Sequence, residues 1–345
     1  PLKIKSKIDV NLFNSAIVNL NKKIKKLLLN NPSLSGKYNA LSNMADWNPA
    51  EMIGIKATKL SYSLYSELIT DEIWAEQRKN YNYKNVKPNR LMYDLAGSPY
   101  IDLRTDFNSF LPSGLNKNLE NKLINNFLKK IIKFPFLHDK IEFNVIPTCY
   151  DFSVEKRLIN FLKKNEKIEY VNKLKKINNE IISDTNKNYL DRDLNKIKDF
   201  EKEIEKFEKI KLNTIQKIYF LNDVCKKFGT LPFAGIARCA FTSTALLKNL
   251  NDKKIISDKD LSVFYSNINT ITKDINNDLS KYFSKKINLK DFMKKYGHLR
   301  PSSYSISSKN YHQGFDYYFS KKNLINRSGK KIKFFLRKKQ KIEIN

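Results

Sequence analysis

Apolar residues recur every three or four positions over long stretches of this chain, and that spacing predicts a mainly helical fold. Over 8–30, Leu12, Ile17, Leu20, Ile24, Leu27 and Leu28 fall on one helical face, and Asn31-Pro32 then breaks the pattern. Helix resumes through 55–79, and further helices are predicted over 117–133, 257–285 and 289–296. Residues 154–221 keep the period with no Gly or Pro and many Lys and Glu, which predicts a long helical hairpin projecting from the body. Two stretches alternate instead. Residues 89–105, around Gly97-Ser98-Pro99, read as strand, turn, strand, and 139–150 as a third strand. The expected class is α+β, predominantly α-helical, with a small antiparallel sheet. Residues 1–320 read as one domain, with 154–221 as an insertion and 321–345 as a basic linker leading elsewhere. The opening on Pro1, without a Met, adds the expectation of a piece of something longer.

Composition changes this picture in one respect. The formal net charge is +30, which invites a nucleic-acid reading. However, of 65 basic residues only 9 are Arg, the side chain suited to bidentate phosphate and base contacts. The lysines are spread along the chain and interleaved with acids, as in DFEKEIEKFEKI (199–210), so a solvated surface is expected rather than a specific nucleic-acid site. No apolar run approaches the roughly 20 residues of a membrane span, and no signal-peptide pattern opens the chain, so the expected location is cytoplasmic with no membrane partner. Cys149, Cys225 and Cys239 form no CxxC pair and read as buried small hydrophobes.

In so lysine-rich a chain, segments that resist the bias carry a packing or chemical duty. One is NMADWNPAEMIG (43–54), where Asn48 and Pro49 suit a helix start and Asp46 and Glu51 are candidate substrate ligands. A second holds Tyr100, Asp102 and Arg104, which share one face if the strand continues. That face is either an exposed sheet surface or a place where Asp102 and Arg104 hold the ammonium and carboxylate of an amino-acid-like ligand. A third, His138-Asp139-Lys140 with Glu142, reads as structural. Arg238 stands alone in the uncharged run 228–247, so it either meets a buried carboxylate or reaches an anion in a cavity. The fifth is YGHLRP (296–301), where His298 is a candidate general base and Arg300 a candidate partner for a transferring phosphoryl group.

No P-loop, dinucleotide fingerprint, HExxH or GxSxG occurs, and three scattered His do not suggest a transition-metal site. The segments NMADWNPAEMIG, ITDEIWAEQRKNYNY, GSPYIDLRTDFNSFLP, LHDKIEFNVIPTCYDF, FGTLPFAGIARCAFTS and YGHLRPSSYSI together resemble, in order over about 40–305, the middle region of phosphoenolpyruvate synthase-like proteins of bacterial surface-polysaccharide loci. Within that group, the likeness points toward the L-glutamine kinases of capsule phosphoramidate synthesis. Such proteins carry an ATP-grasp domain and a swivelling domain whose histidine takes a phosphoryl group from ATP and passes it to an acceptor. The resemblance therefore implies a multidomain phosphotransferase, with ATP and Mg2+ on domains this chain lacks. The family's phosphohistidine motif is missing, and none of His138, His298 or His312 is a matching phosphocarrier. By elimination, 1–320 would be the acceptor-binding part, partnered by the ATP-grasp and phosphohistidine domains of the same polypeptide and inactive alone. A non-catalytic scaffold between those domains is the alternative, and a basic nucleic-acid module a further one.

Overall fold

Helix ends in this chain follow their capping chemistry. Asn116, Asn213, Ser257, Thr270 and Asn288 each accept a hydrogen bond from the first turn of the helix they precede. The computed structural model describes residues 10–29, 31–158, 161–183, 188–300, 308–319 and 340. The part of the YGHLRPSSY motif beyond Arg300, and the basic stretch 321–345 apart from Gln340, lie outside the described residues.

The chain divides into two units, Pro1–Ala245 and Leu246–Asn345. In the first unit α1 (Val10–Leu28) leads to β1 (Leu41–Ser42), α2 (Pro49–Met52), α3 (Lys59–Tyr65), a π-helical turn (Ser66–Thr70) and α4 (Ile73–Lys79). A hairpin of β2 (Met92–Leu95) and β3 (Ser98–Asp102) follows, then α5 (Leu103–Ser109) and α6 (Lys117–Lys133). A second π-helical turn (Ile141–Val145) precedes α7 (Val154–Arg157), α8 (Lys164–Ile182), α9 (Tyr189–Glu208) and α10 (Thr214–Val224). A third (Cys225–Thr230) joins α10 to α11 (Leu231–Asp252).

The sheet is antiparallel in the order β1-β3-β2, with Met92 opposite Ile101 and Leu41 opposite Asp102. Ala96 and Gly97 make the hairpin turn, both at positive φ (54° and 80°), as a two-residue turn matched to strand twist requires. The turn thus falls earlier than the Gly97-Ser98-Pro99 position expected. Leu119, Leu123, Ile124, Phe127, Leu128 and Ile131 of α6 are buried on one face against Ile101, Leu103, Phe107 and Phe110. Full burial of each such side chain stabilises by about 1.5–3 kcal/mol.

The α+β class with a small antiparallel sheet is as expected, but two local readings need correction. The third strand is Leu41–Ser42, not 139–150: the alternation there belongs to the π-helical turn, whose Ile141 and Val145 are buried on the core side. The predicted hairpin region is helical, yet α8 does not project; Tyr170, Val171 and Leu174 belong to the main core. One helical run, Thr214–Asp252, is long and apolar enough to cross a membrane by length and composition. A core helix meets the same criterion, and here Leu231, Ala234, Arg238, Cys239 and Thr242 are all buried.

The second unit holds α12 (Asp258–Asn267), α13 (Ile271–Phe283), α14 (Leu289–Tyr296) and α15 (Phe315–Tyr318). Its small core is aromatic: Phe292 packs 5.0 Å from Tyr296 and 5.7 Å from Phe315, and Tyr311 packs 4.6 Å from Phe319, between ring centroids. Such pairs add about 0.5–1.5 kcal/mol each beyond burial.

Candidate functional site

Five of the lysine-poor segments meet at one buried polar cluster in the first unit. Arg78, at the end of α4, is 2% exposed, and its guanidinium carries two carboxylates: Nη2 lies 2.5 Å from Asp46 Oδ2 and Nη1 3.1 Å from Asp106 Oδ1. Nη1 also donates to Ser109 Oγ. On α11, Arg238 forks onto both oxygens of Glu142, the second at 3.3 Å, the planar geometry that suits guanidinium to carboxylate. Thr148 Oγ1 closes this half, donating to Glu142 at 3.3 Å and accepting from Arg238 at 3.4 Å. The Phe110 ring joins the two halves, 3.5 Å from the Arg78 guanidinium and 4.9 Å from that of Arg238.

Local backbone geometry delivers Asp46. The next two residues, Trp47 and Asn48, both have positive φ (65° and 37°), sparsely populated for residues other than Gly. Trp47 is held there by its carbonyl, which accepts from Tyr65 Oη. Asn48 precedes α2 as expected, with Pro49 opening the helix, but makes no side-chain cap bond. Two left-handed residues in succession are the kind of strain that a functional site retains when its surroundings fix it.

The cluster is electrostatically uneven, with three carboxylates and two guanidiniums. Burial pushes Asp46 above the usual carboxylate range, and Glu142 adds to this while Arg78 opposes it. Asp106, with no exposure, is raised well above the ordinary value, first by burial and then by the charge of Asp46, against the pull of Arg78. Burial acts on Glu142 in the same sense, but the charge and hydrogen bonds of Arg238 outweigh it and hold this carboxyl low. The partnership works both ways: burial alone would weaken the charge on Arg238, and Glu142 raises it instead. Among the described residues, no group of three His, Cys, Asp or Glu is arranged to hold a metal ion.

Of the candidates named from the sequence, Asp46 and Arg238 are in this cluster, and Arg238 meets the buried carboxylate that was one of its two expected fates. Glu51 is in the first turn of α2, as expected, with its side chain exposed. Asp102 and Arg104 do not share a strand face, because β3 ends at Asp102 and Arg104 belongs to α5. Asp102 caps that helix, accepting from the Thr105 amide at 2.8 Å and from Asn39 Nδ2 at 2.9 Å. Arg104 is 2% exposed and donates from Nη2 to the Leu29 carbonyl at 2.7 Å, while its Nε and Nη1 have no partner. His298 and Arg300 lie in the second unit; His298 is exposed, and Arg300 Nε donates to the Ser308 carbonyl at 3.0 Å.

Arg78 and Asp106, the two residues at the centre, were not singled out from the sequence. A signal existed for the first: Arg is scarce in this chain, and Arg78, Arg104 and Arg238 are buried. No family model matches this chain, and neither a curated protein nor a solved structure matches it.

Proposed function

We propose that the chain is the acceptor-binding part of an ATP-dependent phosphohistidine-relay kinase of the phosphoenolpyruvate synthase-like kind. In this reading it positions a small acceptor, with L-glutamine as the best candidate, for phosphoryl transfer in capsule polysaccharide modification. Supporting it is the convergence of Asp46, Arg78, Asp106, Glu142 and Arg238, drawn from five separate segments that carry the family resemblance, onto one cluster. Phosphoryl transfer is mostly positioning and charge stabilisation, so an acceptor domain needs a rigid polar site more than it needs a nucleophile. Asp46 and Glu142, at 10% and 16% exposure, are the members an acceptor reaches from solvent. ATP and Mg2+ belong to the ATP-grasp domain, and the phosphoryl group arrives on the swivelling histidine. The sixth segment, with His298 and Arg300, is the candidate for meeting that histidine.

The test is twofold. L-glutamine should raise the melting temperature of the chain, and adding ATP-grasp and phosphohistidine domains in trans should give ATP-dependent phosphorylation of glutamine. Absence of both removes the proposal, and unchanged turnover in His298→Ala and Arg300→Ala enzymes removes their assigned role. One observation favours a spacer instead: both guanidiniums of the cluster are already paired with protein carboxylates. A spacer shows no stabilisation by glutamine or related amides.

A further inference from the structure

The cluster sets three carboxylates, Asp46, Asp106 and Glu142, against two guanidiniums, Arg78 and Arg238, so with every group ionised it would hold one uncompensated negative charge. Asp106 bears the consequence. Its Oδ1 shares Arg78 with Asp46, while its Oδ2 has no hydrogen-bond partner although the residue is wholly buried. A bare carboxylate oxygen in that position is costly, whereas a protonated one is not. The charged groups around it come from every packed element: Arg78 from α4, Asp46 from the loop before α2, and Glu142 from the second π-helical turn. Arg238 from α11 acts on Asp46 and Glu142. Its own Nε is a second unpartnered polar atom, on a side chain 5% exposed and held into the cluster by Glu142.

We propose that this cluster is an ammonium-binding subsite in which Asp106 is a neutral carboxylic acid until a ligand's primary ammonium group arrives and displaces its proton to solvent. The exchange balances: the Asp106 carboxylic acid and R–NH3+ give a carboxylate compensated by R–NH3+ and one proton released. Asp46, whose Oδ2 alone is taken by Arg78, meets the incoming cation at the solvent side. Its new positive partner withdraws the negative charge that kept Asp106 protonated. The inference rests on reading this cluster as the acceptor site, and adds that the acceptor must carry an amine.

Calorimetric titration of the chain at pH 7 tests it, run in two buffers of different ionisation enthalpy, with L-glutamine and with its amine-free analogue glutaramic acid. The expected result is release of about one proton per glutamine bound, with glutaramic acid binding at least about tenfold more weakly. Asp106→Asn should bind glutamine without proton release and lose the infrared carbonyl band of a protonated carboxyl. Asp46→Asn gives a second reading, because relieving the neighbouring charge lets Asp106 ionise beforehand and lowers the release. Glutamine binding without proton release, or equal binding of the amine-free analogue, overturns this inference and leaves the acceptor reading standing. Binding of neither ligand overturns both.

Discussion

Replacing Arg238 by Met is the sharpest probe of the cluster, because it removes a buried charge at nearly constant volume. Arg238 is 5% exposed and supplies both of the guanidinium bonds that hold Glu142, itself 16% exposed. After the substitution Glu142 retains Thr148 Oγ1 at 3.3 Å and the more remote charge of Arg78. Breaking a buried pair from one side costs about 3–5 kcal/mol, and the partial solvent access of Glu142 places this case near 3. For a unit of this size that lowers the melting temperature by about 6–12 °C. Both tryptophans, Trp47 and Trp74, lie in the first unit, so their fluorescence during thermal or urea unfolding reports that unit selectively. Adding Glu142→Leu should restore most of the loss, because a matched apolar pair leaves no orphaned charge. The deficit of the single variant should also shrink in acid. The pKa of Glu142 is held low in the folded wild type, so its contribution is full above the ordinary glutamate range and disappears as pH falls through the lowered value. A single variant within about 2 °C of wild type, or a double variant whose losses add, would refute the pairing as an energetic element.

Asp106 has the opposite sign: its pKa is raised, so its stability term is full below the ordinary aspartate range and declines as pH rises toward the raised value. Asp106→Asn should therefore flatten the alkaline side of a pH–stability curve, and an unchanged curve would contradict the assignment. Gly235→Ala should cost about 1–3 kcal/mol in thermal unfolding, because a Cβ there would meet Asp193 Oδ2 at 1.8 Å and Tyr81 Oη at 2.7 Å. Gly229→Ala is the control: its nearest atom is Cys225 Sγ at 3.8 Å, so it should be neutral or mildly stabilising, and equal losses at both sites would be inconsistent with the packing. The Cys149 thiol is buried and pushed up to about 11, so the more accessible Cys225 should react first with a thiol reagent at neutral pH, as peptide mapping would show.

How far the sequence carried can be traced residue by residue. The 117–133 helix was legible because its apolar residues repeat at helical spacing and Asn116 caps it. The β2–β3 pair was legible from alternation around a glycine turn. Alternation misled at 139–150, where a π-helical turn also buries residues spaced four apart, and at Arg104, where a helix cap ends the strand one residue too early for the pattern to hold. Asp46 and Arg238 were visible as polar residues in lysine-free surroundings. Arg78 was hidden beside Lys79 on an ordinary amphipathic helix, and Asp106 among candidates that turned out to be capping or packing residues. Only tertiary structure reveals that these two hold the cluster together, since their partners lie 28 to 32 residues away in sequence.

The third π-helical turn, Cys225–Thr230, stands immediately upstream of α11 and hence of Arg238. A π turn holds one residue more than the α-helical path it replaces, and each residue of an α-helix advances the side chains by about 100°. The extra residue therefore sets the rotational phase of everything downstream, much as a single tooth sets the timing of a gear. Deleting one residue from this turn would let the run anneal into plain α-helix, with every backbone hydrogen bond intact. Yet the Arg238 side chain would be turned by about 100°, away from Glu142 and Phe110. A helix improved by every local measure would then have lost its place in the cluster, so tolerance to deletion should be lowest where backbone regularity is poorest.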